Sequence, residues 1–126
     1  MAATPVFANT PVIGSAAIST ANTNRDGTGT IGSVLTGSAN GTKVNEIRIK
    51  ASGTTTAGMV RLYIFNGATN VLFLEQAIAA VTPSASVKTE EYTLTFDSLV
   101  LPATYQLRAS THNAEGFNVV AIGADI

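Results

Sequence analysis

Residues 58–75 constrain the fold of this 126-residue chain more than any other stretch. Two dense apolar runs flank Asn66-Gly67-Ala68-Thr69-Asn70, a pattern that specifies an antiparallel hairpin with a short glycine-containing loop. In the first run Val60, Leu62 and Ile64 alternate with Met59, Arg61, Tyr63 and Phe65. Successive side chains of a strand point to opposite faces, and here both sets are largely apolar. The strand is therefore expected to be covered twice, by a facing sheet and by a neighbouring subunit or loop.

The rest of the chain continues in the same style. Val12 to Thr20 and Thr28 to Thr36 read as strands separated by the loop Ala21-Asn22-Thr23-Asn24-Arg25-Asp26-Gly27. Asn40-Gly41 suits the positive φ of a type I′ hairpin. Lys43 to Ala51 alternates, with Ile47 and Ile49 inward and Glu46, Arg48 and Lys50 outward. Beyond the central hairpin, Gln76 to Val81 reads as a strand end and loop, and Ser86 to Phe96 as a strand. Asp97 to Ala103 reads as a connection, and Thr104 to Ser110 and Phe117 to Ile122 as the last strands. About eight strands at a spacing of ~8–12 residues, with no convincing helix, specify an all-β fold, an antiparallel β-sandwich of jelly-roll type. The expected core is Ile47, Ile49, Val60, Leu62, Ile64, Leu72, Leu74, Leu94, Phe96, Tyr105 and Leu107. Residues 1–10, with Pro5 and a second proline just beyond at Pro11, read as an extended N-terminal arm with Phe7 as a plug, and residues 11–126 as a single domain.

Composition narrows the function classes. Apolar residues make up 45% of the chain, enough for a core, while charged residues make up 12%, about half the usual share. A surface so poor in charge is either covered by Thr, Ser, Asn and Gly or buried against other chains. The net charge of −1 leaves no electrostatic footprint for nucleic acid or an anionic membrane. With no cysteine there is no disulfide framework and no thiolate metal site. No apolar run reaches the ~18 residues of a membrane span, and the first residues lack the pattern of a signal peptide. A soluble product made in the cytoplasm is expected.

No catalytic constellation emerges, and no enzyme activity, cofactor or metal is expected. His112, the only histidine, lies two residues from Ser110, but a Ser–His pair also needs an orienting carboxylate and an oxyanion hole. Asn24-Arg25-Asp26-Gly27-Thr28-Gly29 has the flavour of a calcium loop without its ladder of carboxylates, and an Asp-Gly turn explains it. Glu90 and Glu91 are adjacent and face opposite sides of a strand, so they do not form an acid–base pair. Arg48 and Lys50 share a strand face and offer pairing to acidic groups of a partner. Phe7, Arg48, Lys50, Met59, Tyr63 and Phe65 are the candidate partner contacts. The apolar members of the set, on a chain with so little charge, point to a homo-oligomer, trimer or dimer.

The runs Ser19 to Thr30, Ile47-Arg48-Ile49-Lys50-Ala51, Thr54 to Leu62 and Leu107 to Asn113 resemble small structural proteins encoded by tailed bacteriophages. The chain is similar in size and texture to the cement, or decoration, proteins that clamp the outside of capsids, often with a jelly-roll fold. The resemblance implies a virion protein on the capsid surface. It would bind the major capsid protein after shell expansion, bridge adjacent capsomers and stabilise the closed shell by mass action and avidity. A jelly-roll component of the tail or fibre, binding a carbohydrate or receptor, is the alternative; Asn113, Glu115 and Phe117 are its compact candidates.

Overall fold

The computed structural model describes residues 10–126. Its central feature is the hairpin anticipated at residues 58–75, formed by β4 (Gly58–Phe65) and β5 (Asn70–Ile78). Asn66 closes it: its Oδ1 accepts hydrogen bonds from the backbone N–H groups of Ala68 (3.0 Å) and Thr69 (2.9 Å), and Gly67 takes the left-handed φ of 93°.

The remaining strands are β1 (Thr10–Ile18), β2 (Gly32–Thr36), β3 (Thr42–Ala51), β6 (Glu91–Leu101), β7 (Gln106–Thr111) and β8 (Phe117–Asp125). They form two antiparallel four-stranded sheets, β1-β8-β3-β6 and β2-β7-β4-β5. The pairs β4–β5, β3–β6, β2–β7 and β1–β8 nest one outside the next. The chain is thus one long antiparallel ribbon, with the β4–β5 hairpin at its tip. Successive rungs of the ribbon fall alternately in the two sheets, which is the jelly-roll arrangement. Among the described residues there are eight strands and no helix.

Alternation decides which side chains enter the core. Ile47, Ile49, Val60, Leu62 and Leu107 are fully buried, joined by Val44, Leu101, Phe117, Val119 and Ala121. Ile64, Leu74, Leu94, Phe96 and Tyr105 pack against this core but remain half-buried. They lie on the edge strands β5 and β6 or toward the strand ends.

Three departures from the sequence reading have local causes. Leu72 does not join the core: β5 carries one extra residue, Phe73, between the pairs Leu62–Leu74 and Tyr63–Leu72, so Leu72 turns to Tyr63's face. Residues 86–90 precede β6 rather than belong to it, and the expected connection 97–101 is strand beyond a register shift that loops out residues 96–98. Asn40-Gly41 does form a turn, with Gly41 at φ 98° and its N–H on the Ser38 carbonyl, but β2 and β3 lie in different sheets. The turn is a crossing between layers and not a hairpin.

The sandwich closes tightly on one side only. Gly14 of β1 meets the β2 backbone so closely that an added Cβ would sit 2.3 Å from the Val34 carbonyl oxygen. On the opposite side, the edge strands β5 and β6 meet through Phe73 and Phe96, whose ring centroids are 5.8 Å apart. Leu62, with no exposed surface at the centre of β4, should lose about 2–5 kcal/mol of stability on truncation to Ala. Chemical denaturation measures this directly, and a loss below about 1 kcal/mol contradicts its placement.

Candidate functional site

The outer face of the β2-β7-β4-β5 sheet presents Met59, Arg61, Tyr63 and Phe65 from β4, as the alternation requires. Much of this face is covered by the chain itself. The β1–β2 connection runs across it from β7 to β5. The Asn22 N–H donates to the Thr111 carbonyl at 2.8 Å, and Gly27 reaches Asn70, whose Nδ2 donates to the Gly27 carbonyl at 3.1 Å. The facing sheet covers the inner side of β4 as anticipated, and on its outer side the cover is this loop of the same chain.

Arg61 and Tyr63 hold that loop in place. The Arg61 side chain is 1% exposed, and a buried guanidinium is tolerated only when its charge and donors are matched. Its Nε donates to Glu75 Oε2 at 2.9 Å and its Nη1 to the Asn22 carbonyl at 3.3 Å. Nη2 lies 3.2 Å from His112 Nδ1. Arginine only donates, so in this contact Nδ1 is the acceptor. Tyr63, fully buried, donates its hydroxyl to the Asn24 carbonyl at 2.8 Å. From the loop itself, Arg25 Nε reaches the same Glu75 Oε2 at 2.7 Å. Its hydrogen bond, aided by that of Arg61 and opposed by partial desolvation, holds the Glu75 carboxyl below the usual glutamate range.

The loop is also bonded within itself. Asn22 Nδ2 donates to the carbonyls of Thr28 and Thr30, and Asp26 Oδ1 accepts from the N–H and hydroxyl of Thr28. The residues with a calcium-loop flavour thus form turns that tie the strap together, with Gly27 and Gly29 both at φ 85°. No group of three or more His, Asp or Glu side chains is placed to hold a metal ion among the described residues.

This geometry corrects the sequence reading of one contact residue and narrows two others. Tyr63 is no surface contact, because it lies under the strap. Phe65 is half-buried beneath the Arg108 guanidinium, 3.8 Å from its ring centroid. Met59 lines a shallow cleft of about 400 Å³ with Arg25, Ala77 and His112. They do not form a continuous apolar patch. Ser110 and His112 make no catalytic pair: among the described residues the buried Ser110 Oγ has no hydrogen-bond partner, and His112 Nδ1 is engaged by Arg61. The carbohydrate candidates are likewise engaged. Phe117 is buried in the core, Glu115 accepts from the Thr56 N–H and hydroxyl, and Asn113 donates to Thr56 and to the Ala57 carbonyl.

The outer face of the β1-β8-β3-β6 sheet is different. Among the described residues nothing crosses it as the strap crosses the other sheet. Register sets Ile122 between Ile13 and Glu46, Val120 between Ser15 and Arg48, and Asn118 between Ala17 and Lys50. An apolar stripe of Ile13, Val120 and Ile122, with Ile13 69% exposed, thus borders a charged stripe on β3 and β6. A groove of about 410 Å³ runs between them, lined by Arg48, Lys50, Glu91, Thr93, Asn118 and Val120. Arg48 pairs with Glu46 at 2.9 Å, and Lys50 pairs with Glu91 at 3.1 Å. The structure brings Arg48 and Lys50 together here, away from Met59 and Phe65. Ile13 was missed because an isolated isoleucine in the small-residue run Thr10–Ile18 carries no alternation strong enough to assign its face. Phe7 lies outside the described residues, as does all of the expected arm except Thr10, which pairs with Asp125 as the first residue of β1.

No protein-family model, curated protein or solved structure matches the chain. No helix among the described residues is long and apolar enough to cross a membrane.

Replacing Arg61 with Met keeps the bulk and removes the donors, so stability should fall on the order of 1–3 kcal/mol in urea titration; an unchanged midpoint contradicts the strap account. Glu75 titrates below its unfolded value, so its contribution is complete above the ordinary glutamate pKa and disappears as pH falls through the depressed one. Asp26 and Glu91 are also shifted down, by hydrogen bonds from Thr28 and Lys50. The comparison that isolates Glu75 is therefore wild type against Glu75→Gln, and the variant should show the shallower loss of stability on acidification.

Proposed function

We propose that the chain is a structural protein of a tailed-phage virion. It binds the outer surface of the capsid and stabilises the shell by bridging adjacent capsomers. In this reading it is made in the host cytoplasm, assembles on the major capsid protein, and acts as a homo-oligomer, trimer or dimer. The observation that supports it is the contrast between the two outer faces. One is closed by the chain's own strap, and the other leaves Ile13 exposed and Val120 and Ile122 half-buried beside a groove. Strand β1, which carries Ile13, also begins where the N-terminal segment with Phe7 ends, so arm and stripe are adjacent along the chain and would grip together.

The charges of that face point to an apolar grip. Arg48 and Lys50 already have partners within the chain, and exposed pairs of this kind contribute little. Docking of the stripe, with strand addition by the arm, needs no charge complementarity. A lattice of many weakly held copies gains its strength from avidity.

The test is binding of the purified protein to expanded capsids that lack it. Ile13→Asp should weaken binding roughly tenfold or more, since burying one such side chain is worth about 1.5–3 kcal/mol. Deleting residues 1–9 should weaken it as well, and raising the salt should change it little. Full binding by both variants, or a steep loss with salt in the wild type, would move the grip to Arg48 and Lys50 and sink this account of the contact.

A further inference from the structure

We infer that the edge of β5, which has no further strand beside it among the described residues, is a self-complementary interface, through which two copies of this chain pair about a two-fold axis. The inference deepens the self-association in the reading above by naming its surface, but its test needs no capsid.

Four strands lie at sheet edges, β1 and β6 in one sheet and β2 and β5 in the other. An open edge is a template for another strand unless something blunts it, such as short length, charge, proline, a bulge or a cover. Strands β1 and β2 blunt each other. Their backbones meet at Gly14, β1 also carries Pro11, and β2 is only five residues long. Strand β6 carries Glu91 and Asp97 and is broken by the looped-out residues 96–98.

Strand β5 has less protection. It is nine residues long, Asn70-Val71-Leu72-Phe73-Leu74-Glu75-Gln76-Ala77-Ile78, with no proline and no lysine. Its single charge, Glu75, is matched within the chain by Arg25 and Arg61. The extra residue at Phe73 twists the edge without charging it, and the strap touches β5 at Asn70 and Glu75 while leaving Val71 and Phe73 open. These two are 51% and 39% exposed, an aliphatic and an aromatic group together on the loosely closed side of the sandwich.

The occupant follows from the edge's own pattern. An antiparallel strand turned about a two-fold axis presents the same donors and acceptors in reverse order, so a second copy is its complement. With the axis between Leu72 and Leu74, Glu75 of each copy falls opposite residues 69–73 of the other. That segment, Thr69-Asn70-Val71-Leu72-Phe73, carries no charge, so neither repulsion nor an unpaired buried acid opposes the contact. Val71 and Phe73 of the two copies then cover one another, and two four-stranded sheets become one of eight strands. A single strand edge buries less than the ~1,200–2,000 Å² of a standard stable interface, so the association is expected to be weak and concentration-dependent.

Sedimentation equilibrium from about 1 to 300 µM reads the result. The wild type should form dimers and nothing larger. Val71→Lys should raise the dimer dissociation constant at least tenfold, and Phe73→Lys should do the same; circular dichroism and thermal melting would confirm that each variant folds. Val71→Lys carries the test alone if the loss of the Phe73–Phe96 contact unfolds the second variant. Ile13→Lys, on the other sheet, should leave dimerisation unchanged. A monomeric wild type across the range, a trimer, or dimers that survive Val71→Lys would each overturn the inference, as would dimers lost in Ile13→Lys. A monomer whose capsid binding is weakened by Val71→Lys would assign the edge to a strand of the shell and not to a second copy.

Discussion

The pairing of buried Arg61 with Glu75 is the interaction on which the outer architecture depends. A guanidinium removed from water must recover its hydration through charge and hydrogen bonds, and the groups in reach come from three separate elements. Glu75 lies beside it on β5, Asn22 comes from the strap, and His112 immediately succeeds β7. Satisfying one side chain therefore ties the β1–β2 connection to the sheet. It also places Tyr63 under the strap, where its hydroxyl finds the Asn24 carbonyl. Strand β4 gains its second cover in this way without a partner subunit.

The β4–β5 hairpin has a matching role in topology. As the tip of the ribbon it forms the most local of the nested pairings, and each later pair closes a longer loop. Contacts of increasing sequence separation cost more chain entropy, so a ribbon that zips outward from its tip meets the small costs first.

Much of this was legible in the sequence, for a physical reason. Alternation in Lys43–Ala51 and Gly58–Phe65 reports burial on one face, and the Asn-Gly loop reports the hairpin, so the eight-strand sandwich and five of its most buried residues could be read directly. Bulges were not legible. A single extra residue such as Asn45 or Phe73 reverses the facing of the rest of its strand, and no side chain announces it. The outer face was legible only in part. Met59, Tyr63 and Phe65 read as an assembly surface because apolar side chains look alike whether a loop or a subunit covers them. Arg61, in the middle of that face, was the one available sign that polar backbone would come down upon it. The groove between Arg48, Lys50 and Val120 depends on strands distant in sequence being neighbours, which local pattern does not encode.

With the strap in place, the outer face that carries Ile13 and the edge of β5 stay uncovered among the described residues, on different sheets of the sandwich. A chain that grips a shell with one and a second copy with the other would link lattice sites through contacts that are weak singly. Arg61 and Tyr63 stay covered only while the strap stays closed, and hydrogen exchange of the Asn22 amide tests that most directly. Its bond to the Thr111 carbonyl forms only when the strap is docked. Closed, it should exchange as slowly as the central amides of β4 and β7 and far more slowly than those of the exposed 84–87 turn. Exchange at the rate of that turn would mean that the strap peels away readily, returning Arg61 and Tyr63 to the surface and contradicting the account.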